Sequence, residues 1–186
     1  MKYFSAFILA VALVIAGNMS FQSWTNEALQ EQSSLVATPS WQEALDYAQE
    51  HLPKTGQLLV KSDGFGYIKV DDNYIHALFP MLGLEEEGFK EPPYFRSREA
   101  PGAHISIFYE NEHVLPEEIG QNFHFELKQI VIVKPTKDTS YAVLQVESPE
   151  LEHLREKYGL TPKLHGNEFH ISLAKKTYPK QHHEFN

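Results

Sequence analysis

Two stretches of this chain carry the same tripeptide on an alternating background: "GAHISIFYE" at residues 102–110 and "EFHISLAKK" at 168–176. In an extended backbone, successive side chains leave on opposite faces. His104 and Ser106 therefore point one way, against Ile105, Ile107 and Tyr109, while His170 and Ser172 oppose Phe169, Ile171 and Leu173. Each strand buries an aliphatic rail and presents an imidazole and a hydroxyl roughly 7 Å apart. Two such strands side by side would gather two imidazoles and two hydroxyls around one cleft.

The rest of the chain supplies a frame for that pair. "TPSWQEALDYAQEHL" predicts a helix: Thr38 caps it, Pro39 takes the first helical position, and Trp41, Ala44, Leu45, Ala48 and Leu52 recur at helical spacing. "LLVKSDGFGYIKV" predicts two short strands around an Asp63-Gly64 turn. "DDNYIHALFPML" sets Ile75, Leu78, Phe79 and Leu82 on one helical face, with Pro80 expected to kink or end the helix. The Gly-, Pro- and charge-rich "GLEEEGFKEPPYFRSREAPG" reads as a loop into the first motif strand. "NFHFELKQIVIVKP" and "YAVLQVES" predict two strands, and "SPELEHLREKYG" a short helix with Ser148 as N-cap and Gly159 as its stop. One His-Ile-Ser strand closes each half of this order, which predicts an α+β fold built of two similar halves.

With 186 residues, 42% of them apolar, the chain holds enough for one well-packed domain. Lys2 followed by an apolar run from Tyr3 to Ala16 predicts a signal peptide over residues 1–17, because the run is shorter than the ~20 residues a membrane span needs. The expected organisation is that leader, a linker or N-terminal arm at 18–38, one domain at 39–178 and a flexible tail at 179–186. Export to the periplasm or the medium follows, as a monomer with no stable membrane span after processing. The absence of cysteine rules out disulfides and thiol chemistry. The net charge of −9 argues against a long nucleic acid, whose binding needs many Lys and Arg on phosphates, and leaves room for a small anionic ligand.

Paired imidazoles suit acid-base chemistry near neutral pH: one neutral ring takes a proton and one charged ring gives one. Flanking hydroxyls can bond phosphoryl oxygens as their charge shifts. The combination fits in-line attack on a phosphodiester with no metal or other cofactor. Arg96 and Arg98, just before the first motif, are candidates to clamp a phosphate, and Tyr67 and Phe65, beside Gly64 and Gly66, to stack on a base. His124 and Glu126 share a strand face in a pattern that a half-solvated strand also produces. A ligand-binding module without turnover is the main alternative, and a zinc-dependent hydrolase using His104, His170 and His124 a lesser one.

The paired His-x-Ser-x, "HISI" at 104–107 and "HISL" at 170–173, resembles the signature of the two-histidine (2H) phosphoesterase superfamily. The stretch "GFGYIKVDDNYIHALFPML" leading into "GAHISIF" resembles its Swiss-army-knife, RNA-repair-like branch, and the likeness covers roughly residues 55–176. The resemblance implies a bilobal α+β fold, with two antiparallel sheets and flanking helices around a central cleft. It also implies metal-independent chemistry on 2′,3′-cyclic phosphates or related phosphodiesters. By the same resemblance His104 and His170 are the general acid and base, in an order the motif leaves open, and Ser106 and Ser172 the phosphate-binding hydroxyls. The leader and the acidic charge favour a small cyclic phosphate over tRNA as substrate.

Overall fold

In the computed structural model, which describes residues 39–97 and 99–179, the expected succession of elements is present. The leader (1–17), the arm (18–38), Thr38, Arg98 and the tail beyond residue 179 lie outside the described residues. Helix α1 (Pro39–His51) is followed by strands β1 (Thr55–Val60) and β2 (Gly66–Lys69), short helices α2 (Asn73–His76) and α3 (Leu78–Met81), and β3 (His104–Phe108). After a 3-10 turn (Glu110–Glu112) come β4 (Asn122–His124), β5 (Glu126–Thr136), β6 (Thr139–Glu147), helix α4 (Pro149–Lys157) and β7 (Phe169–Thr177).

The helix read around Pro80 divides at Ala77. Proline has no N–H, and its ring crowds the carbonyl four residues earlier, here His76, the last residue of α2. Pro80 is tolerated inside α3 because an N–H in a helix's first turn has no partner within the helix. Helix α4 starts as its cap predicts: the Ser148 hydroxyl accepts the Leu151 N–H at 3.3 Å. It stops at Gly159, whose φ of +73° suits glycine.

The strands form one seven-stranded sheet of order β4-β1-β2-β3-β7-β6-β5, antiparallel throughout, in place of the two sheets and central cleft expected. The halves fuse because the two motif strands, β3 and β7, bond to each other with Ile105 opposite Ile171. Outward from that joint the order is β3-β2-β1 on one side and β7-β6-β5 on the other, so the halves are related by a pseudo-twofold axis. Ile105, Ile107, Ile171 and Leu173 share one core with Leu58, Ile68 and Leu144 and with the buried stripes of all four helices.

The strand read at "NFHFELKQIVIVKP" is broken in two. Its β4 part pairs with β1 at one edge of the sheet and its β5 part with β6 at the other. Laid flat, seven strands at ~4.8 Å spacing would hold those edges about 29 Å apart. Only the buried Phe125 separates His124 from Glu126, which limits their Cα atoms to ~7.5 Å. The sheet therefore curls until the end of β4 and the start of β5 come together at Phe125. Bulges in the β2–β3, β5–β6 and β6–β7 pairings supply the bending.

Candidate active site

With Ile105 opposite Ile171 in an antiparallel pair, one step either way sets His104 beside Ser172 and Ser106 beside His170. All four side chains leave on the face away from the core. The sheet pairing thus makes a square of two imidazoles and two hydroxyls across the pseudo-twofold axis.

Both rings are tethered in the same way. Nδ1 of His104 donates to the Gly102 carbonyl at 2.8 Å, and Nδ1 of His170 donates to the Glu168 carbonyl at 2.9 Å. Each tether reaches two residues back along its own chain and fixes the tautomer, with the proton on Nδ1 and the lone pair on Nε2. Among the described residues neither Nε2 has a hydrogen-bond partner.

Their surroundings differ. His104 is 9% exposed, with the rings of Tyr94, Tyr67 and Phe65 edge-on to it at centroid distances of 4.7, 5.7 and 5.8 Å. Burial lowers its pKa below the ordinary histidine value; the Gly102 carbonyl works against this, while the Lys69, His170 and Lys61 charges add to the lowering. Lys69 is the cross-strand neighbour of His104. It bonds Asp72, whose Oδ1 also accepts the Ala103 N–H at 2.9 Å. That clamp holds the start of β3. Burial raises the Asp72 pKa, but the Lys69 and Ala103 hydrogen bonds outweigh it and leave the carboxyl below its usual range.

Three connections wall the site. Tyr94 comes from the β2–β3 segment, tied back by its carbonyl to the Gly102 N–H at 3.0 Å. Burial pushes its phenol pKa up, against the pull of the neighbouring Ser172 hydroxyl. Phe65 comes from the β1–β2 turn and stacks on Tyr67 at 5.6 Å. On the other side a small pocket is lined by Ser106, Tyr109, Leu164, Asn167, Glu168, Phe169 and His170, with His165 stacked on Tyr109 at 5.2 Å.

Of the residues singled out in the sequence, His104, His170, Ser106 and Ser172 come together, and Tyr67 lies directly across from Ser106. The outer face of Tyr67 is taken by Phe65. Arg96 is exposed and lines a different hollow, described below. His124 bonds Glu126 at 2.7 Å on β4, three strand spacings from β3, about 14 Å along the sheet. The zinc ligand set of His104, His170 and His124 is therefore not brought together. Among the described residues no group of three His, Asp or Glu side chains is placed to hold a metal ion.

Tyr109 corrects the simple alternation. Gly66 pairs with Phe108 and Tyr67 with Ser106, which leaves Ile107 as an extra residue in β3. The bulge keeps Phe108 in the core and turns Tyr109 onto the histidine face. Gly66 is required there, because a Cβ would meet the Phe108 ring at 2.7 Å. Tyr94 and Arg155 were missed altogether in the sequence. Tyr94 was one aromatic in a charged loop, and its place before the motif was the only available signal. Arg155 stands in a charged run of α4, yet it is 1% exposed. It holds Glu112 at 2.8 Å and the Thr161 carbonyl at 2.8 Å, and donates to the Ile107 carbonyl, joining α4 to the bulge and to the loop that bears His165.

Comparison with curated proteins and with solved structures finds no match. Residues 66–179, more than half of the chain, match the family model described as the Swiss Army Knife, 2H phosphoesterase domain, and the chain belongs to that family.

Proposed function

We propose that this protein is a metal-independent phosphodiesterase that opens a small cyclic phosphate of the 2′,3′-cyclic nucleotide type. Family membership supports phosphodiester hydrolysis as the reaction class. The observation that carries the finer reading is the matched tether: two imidazoles on adjacent strands, each held by Nδ1, with Nε2 left for the substrate. His104, favoured as the neutral ring by its burial, is the base that takes a proton from water. The water oxygen bonds to phosphorus as the bond to one ribose oxygen breaks, and His170 gives that oxygen its proton. Ser106 and Ser172 bond the non-bridging oxygens. Residues 1–17 support placing this activity outside the cytoplasm.

Phosphorus NMR tests the reading. The protein, with excess chelator, is incubated with a panel of nucleoside 2′,3′-cyclic phosphates. Conversion to one monophosphate isomer is expected, falling by about 10²–10⁴-fold in His104→Ala and in His170→Ala. Activity that disappears with chelator, or survives both substitutions, contradicts the mechanism. A protein that binds these ligands and converts none is the binding module instead.

A further inference from the structure

A second hollow lies further along β7, lined by Gly88, Lys90, Glu91, Pro93, Arg96, Lys175 and Thr177. Its charge is unusual for a chain with a net charge of −9. Three cations face one carboxylate, and Glu91 already bonds His76 at 3.2 Å. Among the described residues, none of Lys90, Arg96 and Lys175 is within salt-bridge distance of an acid.

The backbone roots two of these side chains next to each other. Lys90 and Lys175 exchange both main-chain hydrogen bonds, at 2.9 and 2.8 Å, as an isolated antiparallel bridge. Residues paired in this way have side chains on one face with Cβ atoms about 5.5 Å apart, and like charges so placed repel.

The hollow also opens on the histidine face. On β6, Tyr141, Val143 and Gln145 alternate without interruption and pair with Lys175, Ser172 and His170 in turn. Leu173 is the extra residue of a bulge in β7, just as Ile107 is in β3. The bulge brings Lys175 back to the side of Ser172, with its ammonium 5.5 Å from the Tyr141 ring centroid. Counted along β6, the lysine row stands one pleat repeat beyond the Ser172 row, ~7 Å, and two beyond the His170 row, ~13 Å. Tyr94, against His104 and Ser172, lies on the path between them.

We propose that Lys90, Arg96 and Lys175 form a second anion subsite, which binds a phosphate or carboxylate carried by the same substrate roughly 10 Å from the scissile phosphorus. The assignment to substrate rests on the phosphodiesterase reading above; the anion site itself does not. The preferred substrate is then a cyclic phosphate ester with a second anionic group at its far end. Ammonium and guanidinium donors give that group charge-assisted hydrogen bonds.

Two measurements separate the layers. Inorganic phosphate is titrated into 15N-labelled wild type, a His104→Ala/His170→Ala variant and a Lys90→Ala/Arg96→Ala variant. Saturable amide shifts at residues 88–96 and 175–177 are expected in the first two proteins and lost in the third. Shifts confined to residues 104–109 and 165–172 overturn the subsite. The second measurement is the ratio of kcat/KM for nucleoside 2′,3′-cyclic phosphates with and without a 5′-mono- or diphosphate. Wild type is expected to favour the doubly anionic ester by about tenfold, the scale of one charge-assisted hydrogen bond, and Lys90→Ala/Arg96→Ala to lose the preference. A wild-type ratio near one overturns the substrate role and leaves the phosphodiesterase standing. If no ester is turned over, the phosphodiesterase reading falls, and the phosphate shifts still decide the subsite.

Discussion

The bond from Nδ1 to the carbonyl two residues back gives His104 and His170 the same tautomer, and what sets their surroundings apart is the cover over His104. A ring enclosed by Tyr94, Tyr67 and Phe65 loses more on charging than one in water, which is why burial leads the causes of its lowered pKa. In the proposed role of base His104 must be neutral, so kcat/KM should fall on the acid side only below the ordinary histidine pKa of ~6.5. Tyr94→Ala admits water to that ring and should move this acid limb upward in a pH-rate profile; an unmoved limb would assign it to another group. Gly102 is the other sensitive residue, because its φ is +64° and an added Cβ would run into the Asp72 carboxylate and the Lys69 ammonium. Gly102→Ala should cost about 1–3 kcal/mol in urea unfolding and lower kcat by displacing the carbonyl that holds His104. Gly120→Ala, with φ +88° but open space around its Cβ, should cost less and leave kcat alone.

Among the elements, the buried contact between α4 and β3 sets the frame of the site. Arg155 reaches Glu112, the Ile107 carbonyl and the Thr161 carbonyl at once, and Glu112 accepts the Tyr109 N–H at 2.8 Å. Arg155→Met leaves a largely buried carboxylate without its partner and should lose about 3–5 kcal/mol. Lys157→Met, which removes a cation half exposed beside Glu117 and Glu118, should leave the midpoint nearly unchanged in the same chemical denaturation series. This element also marks where sequence reading stopped. Periodicity of 2 and of 3.6 located α1, α4 and both motif strands, because those patterns record which side chains avoid water. The joining of the halves at Ile105 and Ile171, and the break at Phe125, depend on which strand edges meet, and no local pattern records that. The extra residues Ile107 and Leu173 look like ordinary members of an alternating run. Alternation consequently places Tyr109 on the wrong face.

For the molecule as a whole, acid should weaken folding in two stages. His104 has a folded pKa below its unfolded one, so the unfolded chain binds more protons, and stability drops as pH falls from ~6.5 toward the folded value. Glu112 and Asp72 follow at lower pH. For both, burial raises the pKa, but the bonds to Arg155 or Lys69 outweigh it, so their stabilisation is lost as pH falls through the carboxylate range. Urea midpoints taken from pH 8 down to about pH 2 should decline through both windows, with the upper one absent in His104→Ala; an upper window that persists in that variant assigns it elsewhere. The meeting of β4 and β5 at Phe125 has a different consequence. The strand that completes the first half's sheet is covalently the opening of the second half's longest strand. Despite the symmetry the halves share one core and one continuous sheet, so the pair of histidines at their seam needs both of them folded.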